Sequence, residues 1–115
     1  MKRLNQRAQR VAEQVQRELM DLLRYEVKDP RVGNVTITAV SVSPDMKAAR
    51  VYYVPFASQN PREQVQEGLK RASGFLRREV AQQLGLRYTP RLEFVFDESI
   101  DRAARLTGLI DKALK

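Results

Sequence analysis

The sequence predicts an α+β domain with a three-stranded sheet and helices on one of its faces. The expected order is α-β-β-α-(kink)-α-β, followed by a C-terminal helix. Three observations lead there. Apolar residues recur at helical spacing in two long stretches. Two runs rich in β-branched and aromatic residues sit either side of a tight turn. A third such run follows the second helical stretch. At 115 residues the chain suits one domain, residues 1–115.

The first helix is expected from Asn5 to about Glu26. Leu4, Ala8, Val11, Val15, Leu19, Leu22 and Leu23 fall on one face. Arg3, Arg7, Arg10, Arg17 and Arg24 fall on another, within about a third of the circumference. "KDPRVGN" then ends the helix with Pro30, Gly33 and Asn34.

Strands are expected over 35–43, "VTITAVSVS", and 47–56, "KAARVYYVPF". "SPDM" between them is a turn, with Pro44 presetting φ and Asp45 supporting it. The pair makes an antiparallel hairpin. The alternation of the first strand slips at Ala39–Val40, which marks a β-bulge.

The second helical stretch opens with Asn60 as N-cap, Pro61 at the first position and Glu63 at the third. Its apolar stripe is Val65, Leu69, Ala72, Leu76, Val80 and Leu84, and Gly85 closes it. The stripe keeps phase through Gly74. One helix with a kink and two short helices nearly in line both fit. "YTPRLEFVFDES" supplies the third strand, starting at Pro90, with Leu92, Phe94 and Phe96 on one face. Residues from about 98 to 115 are expected to make a C-terminal helix or tail. The expected core includes Val15, Leu19, Val65, Leu69, Leu76, Leu92, Phe94 and Phe96.

The chain has no Cys and no His, which removes thiolate and imidazole chemistry and the commonest metal ligands. No apolar run is long enough to span a bilayer, and "MKRLNQRAQR" lacks the apolar core of a secretory signal. A cytoplasmic location is expected. The net charge is +7, and the basic surplus lies mostly in residues 1–24 and 62–91. Such an imbalance points to a polyanionic partner.

Gly74 stands out within that surplus. A mid-helix glycine costs about 1 kcal/mol relative to alanine. Its helical neighbours are Lys70, Arg71, Arg77 and Arg78, all basic. The apolar stripe lies on nearly the opposite side. Bare backbone ringed by cations lets a phosphate approach closely. A kink would also free N–H groups at the start of a second helix, which favour an anion. The competing reading is a solvated basic face with a glycine that only bends the helix.

An enzyme reading fares worse. Asp97, Glu98 and Asp101 are close enough in sequence to hold a divalent cation for phosphodiester chemistry. Acids at the start of a helix that Ser99 can cap have a simpler origin. Ser73 has no His to activate it, and "GLKRASG" lacks the end of a phosphate-binding loop. No catalytic residue, metal or cofactor is expected.

The element order excludes an RNA-recognition motif and a double-stranded-RNA domain. It fits a type II KH domain, which runs α-β-β-α-α-β. The residues themselves go further. "QRVAEQVQRELMDLLRYEVKDPRVGNVTITAVSVSPDMKAARVYY" and "RASGFLRREVAQQLGLRYTPRLEFVFDES" resemble the ribosome-binding factor A family of bacterial small-subunit assembly factors. The resemblance covers nearly the whole chain. It implies a KH-like fold in which Ala72-Ser73-Gly74, an AxG kink, replaces the usual GxxG loop. It implies binding to immature free 30S subunits and the 5′ region of 16S rRNA. Late maturation, 5′-end processing and growth at low temperature follow from the same resemblance. The expected contacts are Lys70, Arg71, Ala72, Ser73, Gly74, Arg77 and Arg78, with Arg3, Arg7 and Arg10 as a second strip. No membrane or small-molecule substrate is expected, and the small, charged chain suggests a monomer. A general KH-like nucleic-acid module and, more remotely, a metal-dependent RNA-processing enzyme stay open as alternatives.

Overall fold

The computed structural model describes residues 2–55, 61–87 and 89–99, with side chains from Gln6 onward. The expected C-terminal helix from residue 100 onward and the Asn60 cap lie outside the described residues. Helix α1 spans Lys2–Asp21 and runs straight into a π-helical turn, Leu22–Glu26. That turn closes with Val27 N–H donating to the Leu22 carbonyl at 2.9 Å. The amphipathic stripe does what its spacing requires. Ala8, Val11, Ala12, Val15, Leu19, Leu22 and Leu23 are all buried.

A 3₁₀ turn, Pro30–Val32, follows. Asp29 starts it by accepting from the Arg31 backbone N–H at 3.0 Å and from the Arg31 guanidinium at 2.6 Å. Val32 is thereby driven fully inside.

Strands β1, Thr36–Val42, and β2, Ala48–Val54, pair antiparallel. The bulge falls between Ile37 and Ala39, one residue before the expected place. Thr38 is the extra residue, and its hydroxyl donates to Asp97 at 2.5 Å. The bulge lets Ile37 and Val42, an odd number of residues apart, both face the core. The hairpin turn is held by Met46 N–H donating to the Ser43 carbonyl at 2.8 Å.

Helix α2 spans Arg62–Leu84 without a break, so the expected α-kink-α resolves into one helix through Gly74. Its N–H groups there stay in the helical ladder and are not freed for an anion. Pro61 takes the cap position and not the first helical one, because its ψ of 150° is still extended. Gly85 ends α2 in the left-handed region at φ 62°, and Leu86 N–H reaches back to the Ala81 carbonyl at 3.0 Å.

Strand β3, Arg91–Phe96, pairs parallel to β2, giving the order β1-β2-β3. The inward residues Ile37, Val42, Ala49, Val51, Tyr53, Leu92 and Phe94 form one cluster with the apolar stripes of both helices. Both helices therefore cover the same face of the sheet. Phe96 is the exception among the expected core residues. It is half-buried, with its ring edge-on to Tyr53 at 6.0 Å and the Arg62 guanidinium 4.1 Å above it.

Candidate nucleic-acid interface

The apolar stripe of α2 fixes what its other side shows. Val65, Leu69, Leu76 and Val80 are fully buried, so Lys70, Arg71, Gly74, Arg77 and Arg78 are turned to solvent. A Cβ added at Gly74 would meet nothing within 4 Å. The bare backbone expected there is present, and it is open.

The four cations around it differ in their ties. Arg71 makes an exposed ion pair with Glu67 at 3.3 Å, one helical turn earlier; such pairs contribute little and release readily. The Arg77 guanidinium donates twice to the Thr89 carbonyl, at 2.8 and 3.2 Å, which fixes it over the end of α2. Lys70 and Arg78 carry no ion pair among the described residues. Two expected contacts are placed differently. Ala72 lies on the apolar stripe and packs against the core. Ser73 spends its hydroxyl on the Lys70 carbonyl at 2.6 Å, a common habit of serine inside helices.

Arg7 and Arg10 are exposed on α1, and the Arg3 side chain lies outside the described residues. Helix α1 lies against α2, and this brings Arg7 to the same cavity as Arg77. The two basic segments of the sequence therefore meet on one surface at that point. Arg10 is not part of that cavity.

Two features escaped the sequence. Gly68 is buried on α2, where an added Cβ would lie 3.0 Å from Val32 Cγ1 and 3.3 Å from Arg31 Cβ. It admits the "DPR" turn against the helix, a signal visible only once the two are known to touch. Lys47 and Arg87 join Arg7 and Arg77 around the shared cavity, each from a loop with no periodicity to announce it.

The carboxylates near the end of β3 are engaged in the fold. Asp97 accepts from Thr38 at 2.5 Å and from the Ser99 N–H at 2.9 Å, and the hydrogen bonds from Ser99 and Thr38 hold its pKa below the usual carboxylate range. Glu98 faces Arg62 at 3.7 Å. Asp101 lies outside the described residues. Among the described residues no helix is long and apolar enough to cross a membrane.

Comparison with known proteins places the chain in a family. The family model for ribosome-binding factor A matches residues 7–110. A ribosome-binding factor A of Coxiella burnetii is 50% identical over 112 residues, covering 97% of this chain and 93% of the relative. One from Dechloromonas aromatica is 51% identical over 108 residues, covering 94% and 87%. The crystal structure of ribosome-binding factor A from Thermus thermophilus aligns with a TM-score of 0.68 at 30% identity, over 76% of this chain and 93% of that one. A Thermus thermophilus homology model fitted into a cryo-EM map of a 30S complex aligns with a TM-score of 0.64 at 30% identity, over 76% and 91%. These neighbours share the KH-like fold that the element order predicts. With a family match over most of its length and half its residues identical to such relatives, the chain belongs to the ribosome-binding factor A family.

Proposed function

We propose that this chain is a non-catalytic assembly factor that binds immature, free 30S subunits through their 16S rRNA. It promotes late maturation and 5′-end processing of that RNA, including at low temperature. The observation that carries the reading is the exposed cationic face of α2, with Lys70, Arg71, Arg77 and Arg78 set around open backbone at Gly74. The related Thermus thermophilus protein, fitted into the map of a 30S complex, supports the choice of partner. A phosphate-rich RNA surface suits such a face, because phosphate contacts give affinity and orientation without base specificity. The non-catalytic reading is supported by Asp97 and Glu98, whose carboxylates are tied to Thr38, Ser99 and Arg62. The factor acts as a monomer in the cytoplasm, with no membrane and no small-molecule substrate.

Co-sedimentation with free small subunits and with complete ribosomes tests this directly. The protein should pellet with the free subunits and stay behind with the complete ribosomes. Replacing Lys70, Arg71, Arg77 and Arg78 together should weaken binding and lower the slope of log affinity against log salt, by about 0.9 for each phosphate no longer neutralised. Replacing Arg3, Arg7 and Arg10 should lower it less. An unchanged slope in the fourfold variant would remove α2 from the interface. RNA shortened by the pure protein with Mg²⁺ would overturn the non-catalytic reading.

A further inference from the structure

A cavity of about 530 Å³ opens where four parts of the chain meet. Arg7 comes from α1 and Arg77 from α2. Met46 and Lys47 come from the hairpin turn, and Leu86 and Arg87 from the segment before β3. A volume of this order is in the range of about 300–1,000 Å³ that holds a small organic ligand. Four cations line it, against one carboxylate, Asp45. That carboxylate is committed to the turn, accepting from the Ser43 hydroxyl at 2.6 Å and the Lys47 N–H at 3.0 Å. Arg77 uses two of its N–H groups on the Thr89 carbonyl, which leaves about three of its five donors for a ligand.

The floor is apolar, and Met46 is the telling residue. It sits at φ 64° and is the one non-glycine residue with positive φ in the described chain. A glycine would take that conformation without strain, and turns of this kind favour one. Methionine there supplies what glycine lacks, a long polarisable side chain that packs on the core and lines the cavity. Leu86, half-buried, lines the same cavity. A cationic rim alone suits any phosphate. A cationic rim over an apolar floor suits a phosphate that carries an unpaired base. A second cavity of about 560 Å³, lined by Arg78, Ala81 and Gln82, shares Arg77, Leu86 and Arg87 with the first. Together the two cavities run from Arg78 to Arg7.

We propose that this cavity takes one unpaired RNA nucleotide. Its base lies against Met46 and Leu86, and its phosphates meet Arg7, Lys47, Arg77 and Arg87. The assignment rests on the RNA-binding reading above and adds a single-stranded element to it.

The test uses the full-length chain and three probes: a mixed-sequence hexaribonucleotide, a hexamer with an abasic ribose at every position, and the sequence as a duplex. Met46→Gly keeps the turn, since glycine accepts the backbone, and its thermal unfolding checks that the fold is intact. It should weaken hexamer binding by up to about tenfold, the low end of what a base stacked on an aromatic ring contributes, since the floor here is aliphatic, and leave duplex binding unchanged. Removal of every base should cost the wild type a similar factor and cost Met46→Gly nothing further. The double variant Lys47→Ala with Arg87→Ala should weaken hexamer binding and lower its salt slope. Unchanged hexamer affinity in folded Met46→Gly would overturn the proposal. So would a fully abasic hexamer that binds like the intact one, since the cavity would then take phosphate alone. Both results leave subunit binding standing. A wild type that binds neither subunits nor any of these RNAs would overturn the RNA reading together with this one.

Discussion

Two glycines in α2 face opposite demands. At Gly74 an added Cβ meets open space, so Gly74→Ala should raise stability by about 1 kcal/mol through helix propensity alone. Subunit binding should fall all the same, if phosphate approaches the bare backbone. Denaturant titration and co-sedimentation of this one variant separate the two effects, and undiminished binding would reduce Gly74 to a tolerated helix defect. At Gly68 the same change drives a methyl group against Val32, which is fully buried and stiff at χ1. Overpacking costs about 1–3 kcal/mol, which exceeds the propensity gain. Gly68→Ala should therefore lose about 1 kcal/mol, read as a lower urea midpoint. Asp29 carries a different signature. Hydrogen bonds from the Arg31 guanidinium and N–H hold its pKa at about 2, against 3.8 ordinarily. A depressed folded-state pKa means stability that is complete above the unfolded value and lost as pH falls through the folded one. Thermal midpoints measured from pH 5 down to pH 2 should fall less steeply in Asp29→Asn. The Asp45 and Asp97 carboxylates, also held low, account for some of the remaining fall.

At the scale of elements, Gln66 fastens α2 to two strands at once. Its side-chain oxygen accepts from the Tyr53 hydroxyl, and its amide donates to the Phe94 carbonyl at 2.9 Å. Gln66→Leu would leave both strand groups without a partner, at a cost of about 1–3 kcal/mol. Adding Tyr53→Phe should recover part of that loss, and a double-mutant cycle by chemical unfolding would show the coupling. The elements themselves were legible because each buries one face. Val15, Leu19, Val65 and Leu69 announce the helices through their period, and Leu92 and Phe94 announce β3 through theirs. The bulge was legible only to within a residue. Alternation shows that the phase flips, but Thr38 is selected by Asp97, which is 59 residues away in sequence. Phe96 was over-read for a like reason, since its ring is covered partly by Arg62 and not wholly by the core. The cations of α2 were visible as one face of one helix. Lys47 and Arg87 were not, because only the tertiary fold carries two loops to Arg7.

At the scale of the molecule, the sheet order has a consequence for how the chain is made. Strand β2 is the middle strand, yet its second neighbour follows it only after the whole of α2. A growing polypeptide delivers α1 and the β1–β2 hairpin first, and a two-stranded hairpin is marginal in water. Until Arg91–Phe96 has been synthesised, β2 has one open edge, and Tyr53 and Val51 lack the strand that flanks them. The apolar stripe of α1, already finished, is the surface at hand to shelter them. Cooperative closure thus waits on β3. Long-range parallel pairing of this sort is slow, so a newborn copy spends its first moments as a helix beside two strands of three.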